Sequence, residues 1–430
     1  MHVPATGADQ ASLEHRSNPA VIVLCMVVTV IEGYNLIVFG SVVPLLLDDP
    51  SLGVTPQSIG TVGGLVYIGA VLGALLAPLL AERLGRKQVL MAAILVFAGG
   101  ALLTGLAESA GVLGAARFLA GLGVGGALTT AMTVARNSAS SRRASLVVTI
   151  TMAGIPLGGV VAALLAVPVL PAFGWRPMFF VGAAMAAAIA VAVALMTIPT
   201  DSPQEVAGRG WTTAQKLRSV LTGRGLVVAV LVAVCAIGNM VAWQGLNVWA
   251  AEAMVQLGFS LRAALLFTFV LTGAAVIGSF ATAWSADRTG PARTAVVTGT
   301  CTLLGLLGMA FLPTGVAVAL VCIALMGIGG HSTMNLVHTT TSNIFPLPAR
   351  ATALGWSNST SFIGAFLGPT IGGAAIATGG STGLFSTYAV AAAVTLAGLV
   401  GLMLADRVSH HGHFSAPAET LEPAPAAAAL

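Results

Sequence analysis

The chain has 430 residues, 57% of them apolar and only 7% charged, and its mean hydropathy is +0.96. Soluble domains carry about 25% charged residues, so the solvent for most of this chain is lipid, which excludes a soluble enzyme or a nucleic-acid-binding module. The net charge of +4 is the ordinary excess of Lys and Arg in cytoplasmic loops of membrane proteins.

In hydrocarbon every backbone N–H and C=O must be paired internally, which leaves helical bundles or closed barrels. The apolar runs reach the roughly 20 residues a spanning helix needs and lack the alternation of barrel strands. Residues 1–19 form a polar tail, and no cleavage site precedes the first apolar run, so that run is expected to stay in the protein. Twelve spans follow, near 20–47, 57–81, 88–107, 111–135, 144–170, 176–198, 225–252, 261–285, 293–312, 314–342, 350–378 and 382–405. They divide into a half over 20–198, a polar central loop over 199–223, and a second half over 224–407; residues 408–430 read as a disordered tail. His410, His411 and His413 in that tail read as incidental polar residues. Cys25, Cys235, Cys301 and Cys322 fall inside apolar runs, with neither metal-ligand nor disulfide spacing.

Basic residues set the orientation. Arg83, Arg86 and Lys87 follow span 2, Arg136, Arg142 and Arg143 follow span 4, and Arg209, Lys216, Arg218 and Arg224 follow span 6. The opposite loops hold Asp48, Asp49 and Glu108, with Arg176 and Arg262 as exceptions. The positive-inside rule then places both termini in the cytoplasm.

The sequence also repeats. Ala81-Glu82-Arg83-Leu84-Gly85 recurs as Ala286-Asp287-Arg288-Thr289-Gly290, and Ile155-Pro156-Leu157-Gly158-Gly159 has a counterpart in Gly368-Pro369-Thr370-Ile371-Gly372-Gly373. Both pairs are offset by about half the chain, the mark of a transporter built from two parallel six-helix repeats.

The loop after span 2 reads Pro78-Leu79-Leu80-Ala81-Glu82-Arg83-Leu84-Gly85-Arg86-Lys87, which resembles the G-x-L-A-D-R-x-G-R-K motif of the major facilitator superfamily. That resemblance implies an all-α membrane protein of twelve helices, and a latch of ion pairs at the cytoplasmic ends. Glu82 would pair with Arg136, with Arg83, Gly85, Arg86 and Lys87 beside it and Asp287 and Arg288 as the second copy. Glu32-Gly33-Tyr34-Asn35 in span 1, Arg117-Phe118-Leu119-Ala120-Gly121 in span 4 and Arg350-Ala351-Thr352-Ala353-Leu354-Gly355-Trp356 in span 11 resemble the aromatic acid:proton symporters. Departures weaken the substrate assignment: Asn35 replaces the second acid of the span 1 motif, Asn137 stands where span 4 usually ends in an acid, and Phe362 replaces a base.

Glu32 lies about thirteen residues into span 1, near mid-membrane, and an ionisable group there is a candidate site residue. It is the candidate proton carrier, no cofactor other than the proton gradient being expected. Arg117 cannot shed its proton and needs an anionic partner; Glu32 and a substrate carboxylate are the two candidates, and a competition between them would couple proton to substrate. A fixed packing role for Arg117 is the plain alternative. His331, Asn335 and His338 share one face of span 10. The histidines are about 10 Å apart along the axis, too far for one metal ion, so a proton relay or substrate contact is weighed against bonds to neighbouring Ser and Thr. His331 is the stronger of the two. Asn239, Trp243 and Asn247 share a face of span 7, and with Tyr34, Asn35 and Trp356 they are candidates to hold a planar ligand with a polar end.

The leading expectation is a monomeric, proton-coupled importer of a small organic acid, most of all an aromatic carboxylate, in the inner membrane. The alternative is a proton-linked exporter of drugs or metabolites. Exporters carry G-x-x-x-G-P-x-x-G-G in span 5; here that string occurs at 364–373, in span 11, which argues against export. No loop offers a nucleophile–base pair, a metal cluster or a phosphate-binding glycine loop, so enzyme chemistry is not expected.

Overall fold

The structure, a computed structural model, describes residues 19–139, 147, 150–198, 212–312 and 315–411. Most of the expected tails, most of the central loop with Arg209, the loop residues Arg142 and Arg143, and Pro313 between spans 9 and 10 lie outside the described residues, while 408–411, expected in the disordered tail, continue the last helix. Six long helices make the first half: α1 (Pro19–Leu47), α2 (Pro56–Leu84), α3 (Arg86–Gly105), α4 (Ala110–Asn137), α5 (Gly154–Phe173) and α6 (Arg176–Leu195). A short helix, Thr213–Leu221, leads into the second half: α7 (Gly223–Gln256), α8 (Leu261–Thr289), α9 (Pro291–Phe311), α10 (Val316–Ile344) and α11 (Arg350–His411).

The last of these holds two spans. Its 62 residues would reach about 93 Å at 1.5 Å per residue, three times the hydrocarbon thickness. Gly380 breaks the helix with φ 59° and ψ −153°, a conformation that costs a residue with a Cβ but not glycine. The chain therefore crosses twelve times.

The repeat read in the sequence is a repeat of geometry. Gly85 closes α2 with φ 86° and Gly290 closes α8 with φ 91°, and each donates its N–H to the alanine four residues back, Ala81 or Ala286. Each glycine turns the chain at once into the next helix. Deeper in the bundle, Gly158 of α5 lies on the backbone of α1 at Val30 and Tyr34, while Gly368 of α11 lies on α7 at Val241 and Gly245. Helices four residues out of phase meet in the same way in both halves. Between α2 and α4 the seam is glycine on both sides: Gly69 and Gly73 abut Phe118 and Leu122, and Gly121 and Gly125 abut Val66 and Ala70. In lipid, where helices gain little from excluding water, such close backbone contact is a main source of cohesion.

The two halves meet near one end. Gly40 of α1 touches the Asn247 carbonyl of α7, Gly60 and Gly64 of α2 touch Pro369 and Phe366 of α11, and Gly373 touches Pro56. Beside this seam, within the second half, buried Trp249 of α7 donates Nε1–H to Pro369 O of α11 at 2.8 Å. All of these lie toward the ends joined by 48–55 and by Gly380. At the opposite end the halves part. Asn335, Thr339 and Asn343 of α10 and Asn358 and Ser359 of α11 are exposed, and polar side chains at that depth belong to an aqueous opening rather than to lipid.

Candidate functional site

Glu32, Arg117 and Glu252 are the charged residues that the structure buries among the described residues. Two of them sit inside the first half. Glu32 is 2% exposed, and neither carboxyl oxygen has a hydrogen-bond partner. It borders a small cavity with Val28, Ile31, Ile94, Phe97, Ala127, Ala186 and Ile189, from α1, α3, α4 and α6. Its room, ≈ 10 Å³, is about that of one water, but a buried water needs two to four polar partners and these walls are apolar. In this conformation Glu32, the candidate proton carrier, is enclosed within one half and does not face the space between the halves.

Arg117 of α4, 1% exposed, reaches α1 one turn beyond Glu32. Its NH1 donates to Asn35 Oδ1 at 2.8 Å and to Asn35 O at 3.2 Å, and its guanidinium stands 4.8 Å from the Phe39 ring centroid. Tyr67 of α2 is a further electrostatic neighbour. Arg117 Nε and Asn35 Nδ2 are buried without acceptors. Of the two anionic candidates for Arg117, Glu32 does not hold it in this conformation, and the Asn35 amide does. The reason is register: Arg117 meets the turn of α1 that holds Asn35 and Phe39, one turn beyond Glu32.

The position of α1 follows from its glycines. Gly33 lies against the Ile155 backbone of α5, which turns Glu32, Asn35 and Phe39, at i, i+3 and i+7, toward the interior of the first half. Tyr34 is directed away from the opening: its hydroxyl donates to Met178 O of α6 at 2.8 Å and the ring is fully buried.

The second half supplies the polar groups nearer the opening. His331 and His338 are half-buried and Asn335 is exposed on the same face of α10. His331 lies 5.9 Å from the Trp243 ring, centroid to centroid, and Asn239 Nδ2 donates to Gly330 O at 2.9 Å. His338 Nδ1 shares a 3.1 Å hydrogen bond with Ser357 Oγ of α11. Trp356, 37% exposed, donates its Nε1–H to Ala229 O. Asn247 spends Nδ2 on Trp243 O and Gln244 Oε1, leaving Oδ1 buried and unmatched. The structure thus brings Asn239, Trp243 and His331 together, and separates them from the Glu32–Asn35–Arg117 group.

This two-half architecture can be matched against known proteins. The profile described as Major Facilitator Superfamily matches residues 25–369. The chain belongs to the Major Facilitator Superfamily. Among its superfamily relatives, a gentisate transporter of Corynebacterium glutamicum is 31% identical over 391 residues, covering 89% of this chain and 87% of that protein. The 4-hydroxybenzoate transporter PcaK of Pseudomonas putida is 26% identical and covers 91% of this chain and 93% of its own. A solved D-xylose–proton symporter superposes with a TM-score of 0.71 at 16% identity, over 89% of this chain and 96% of its own, which speaks for the fold alone.

In this superfamily member the residues of the predicted latch can be placed one by one. Glu82, Arg83, Asp287 and Arg288 are exposed; Lys87 Nζ donates to Ala194 O at 2.7 Å, and Arg288 stacks at 3.7 Å on Trp284. Among the described residues Glu82 has no ion pair, so the expected Glu82–Arg136 pair is not formed at the end where the halves part. Three contributors escaped the sequence reading. Phe39 and Tyr67 look like ordinary apolar filling of spans 1 and 2 until Arg117 is placed beside them. Ser357 is one of several polar residues in span 11, and nothing in the sequence singles out its bond to His338.

Proposed function

We propose that this protein imports a small aromatic carboxylate together with protons, working as a monomer in the inner membrane by alternating exposure of a site between its halves, with both termini cytoplasmic. The observation that carries the reading is Arg117. A guanidinium is always charged, and burying an unpaired charge is costly; here a neutral amide is its side-chain acceptor, and Nε still has none. A planar carboxylate is the natural complement to a guanidinium fork. The names of the relatives, which include gentisate, benzoate, 4-hydroxybenzoate and gallate transporters, support an aromatic acid as that carboxylate. Glu32, buried without a partner for either oxygen, is the group proposed to carry the proton, since its uncharged form suits apolar walls. His331, Asn335 and His338, with Asn239, Trp243 and Trp356, are proposed to meet the ring as the site opens.

The test is uptake of labelled benzoate into proteoliposomes with and without an imposed pH gradient, acid outside. Accumulation above the equilibrated level with the gradient, and none beyond it without, is the expected result. Arg117→Lys loses the fork geometry, and a charge-assisted hydrogen bond contributes roughly 1.5–3 kcal/mol, so a ~10- to 100-fold rise in half-saturating benzoate is expected. Net extrusion under the same gradient would establish the export alternative instead.

A further inference from the structure

Four buried polar atoms in one turn of the first half are unmatched and complementary. Glu32 Oε1 and Oε2 are acceptors without donors; Asn35 Nδ2 and Arg117 Nε are donors without acceptors. Buried polar groups are paired in the great majority of cases, so an unmatched set of opposite kinds, side by side, calls for an explanation. Glu32 and Asn35 stand at i and i+3 on α1, where side chains are neighbours with about 5–6 Å between Cβ atoms. Asn35 already grips Arg117 through Oδ1. Its amide is therefore placed between the acid and the cation, with one end engaged and the other idle.

We infer that Asn35 is a positioning residue that transmits between Glu32 and Arg117: Oδ1 holds the guanidinium in the enclosed state seen here, and Nδ2 takes up the Glu32 carboxylate once that group has lost its proton. In the step the Glu32 O–H bond breaks, the proton passes to water admitted as the half rearranges, and the carboxylate gains an N–H donor in place of its proton. A carboxylate at position 35 could not do this, since it accepts only. An amide donates and accepts at once. Among the described residues, those lining its cavity offer Glu32 no charged donor. α3 and α6 present Ile94, Phe97, Ala186 and Ile189, and α4 presents Ala127. The titratable groups nearby are Cys25 on α1, Tyr34 (bonded to Met178), Tyr67 on α2 against Arg117, and Arg117 itself.

This rests on the proton-coupled reading above, and the experiment separates the two. Proteoliposomes are assayed with benzoate both for benzoate–benzoate exchange, which needs no net proton movement, and for accumulation driven by a pH gradient, across a range of internal pH. Asn35→Leu keeps the branched shape of the side chain and removes both ends of the amide. The ratio of accumulation to exchange is expected to fall at least tenfold, and accumulation to lose its pH dependence. Asn35→Gln, which keeps both ends, should restore accumulation in large part. Asn35→Ser, too short to span both partners, serves where the leucine variant does not reach the membrane, and should show the same split. In a Glu32→Gln background the Asn35 substitutions should add no further loss. Wild-type-like accumulation in Asn35→Leu, or equal loss of exchange and accumulation that Asn35→Gln fails to separate, overturns the relay alone. A wild-type protein that exchanges benzoate but does not accumulate it under the gradient overturns the proton coupling and the relay with it.

Discussion

Asp49 shows what a single ionisable side chain does outside the lipid. It accepts from the Ser51 hydroxyl and backbone N–H and from Trp175 Nε1 at 3.2 Å, and it lies 3.6 Å from Arg176, which is stacked on Trp175. The Ser51 hydroxyl first, then Trp175, the Ser51 N–H and Arg176, hold the Asp49 carboxyl below its ordinary value. A lowered folded-state pKa means the contribution is present above the unfolded value, about 3.9, and is lost as pH falls through the folded value. Thermal unfolding of the detergent-solubilised protein should therefore show a gap between wild type and Asp49→Asn that is constant at neutral and mildly acidic pH and closes only in strong acid. A gap that instead closes between pH 5 and 7 would mean that another group is responsible. The residue scale is also where the sequence was least legible. Glu32, Arg117 and the histidines stood out by type, because charge inside an apolar run is conspicuous. Their directions did not, because α1 is apolar on nearly every side and carries no stripe to orient it. Which way Glu32 points depends on Gly33 lying flat against Ile155, and one sequence does not show that contact.

Among the elements, the helices themselves were readable from length and hydropathy, with ends displaced by a few residues. Breaks were readable where glycine or charge interrupts the run, as at Gly85 and Gly290. The turn at Gly380 was placed as a gap between spans, although the backbone continues helically on both sides of it. What each helix can approach is set by its small residues, and this yields a prediction. A Cβ at Gly40 would collide with the Asn247 carbonyl oxygen of the opposite half, and backbone cannot move aside as a flexible side chain can. Overpacking of this kind costs about 1–3 kcal/mol, so Gly40→Ala should lower the ratio of this conformation to its opposite by ~5- to 150-fold. Spin labels at Gln57 and Arg262, both exposed at the closed end, should report longer distances in Gly40→Ala. An unchanged distribution would show that α1 and α7 do not set the seal.

For the whole molecule, the repeat seen in two short motifs predicted the architecture because both halves obey the same packing rules. α5 lies on α1 as α11 lies on α7, and identical glycine caps end α2 and α8. The halves meet along α1 on α7 and α2 on α11 toward one end, and along α5 on α8, where Gly159 approaches Thr272. Rocking must break the contacts around Gly63, where a built Cβ meets Val248 Cγ1 of the other half at 3.3 Å, beside the Phe39 and Pro369 side chains. Val248 Cβ lies one bond beyond that Cγ1, so the two Cβ atoms come near the separation of about 3.5–4.5 Å that a disulfide spans. The double variant Gly63→Cys, Val248→Cys should cross-link under mild oxidant, while native Cys25, Cys235 and Cys322 stay buried and unreactive. The oxidised protein should lose benzoate exchange and accumulation alike, and a reductant should restore both, with each single variant active throughout. Undiminished exchange in fully cross-linked protein would mean that substrate crosses without the halves parting at this end, and the rocking account would fall.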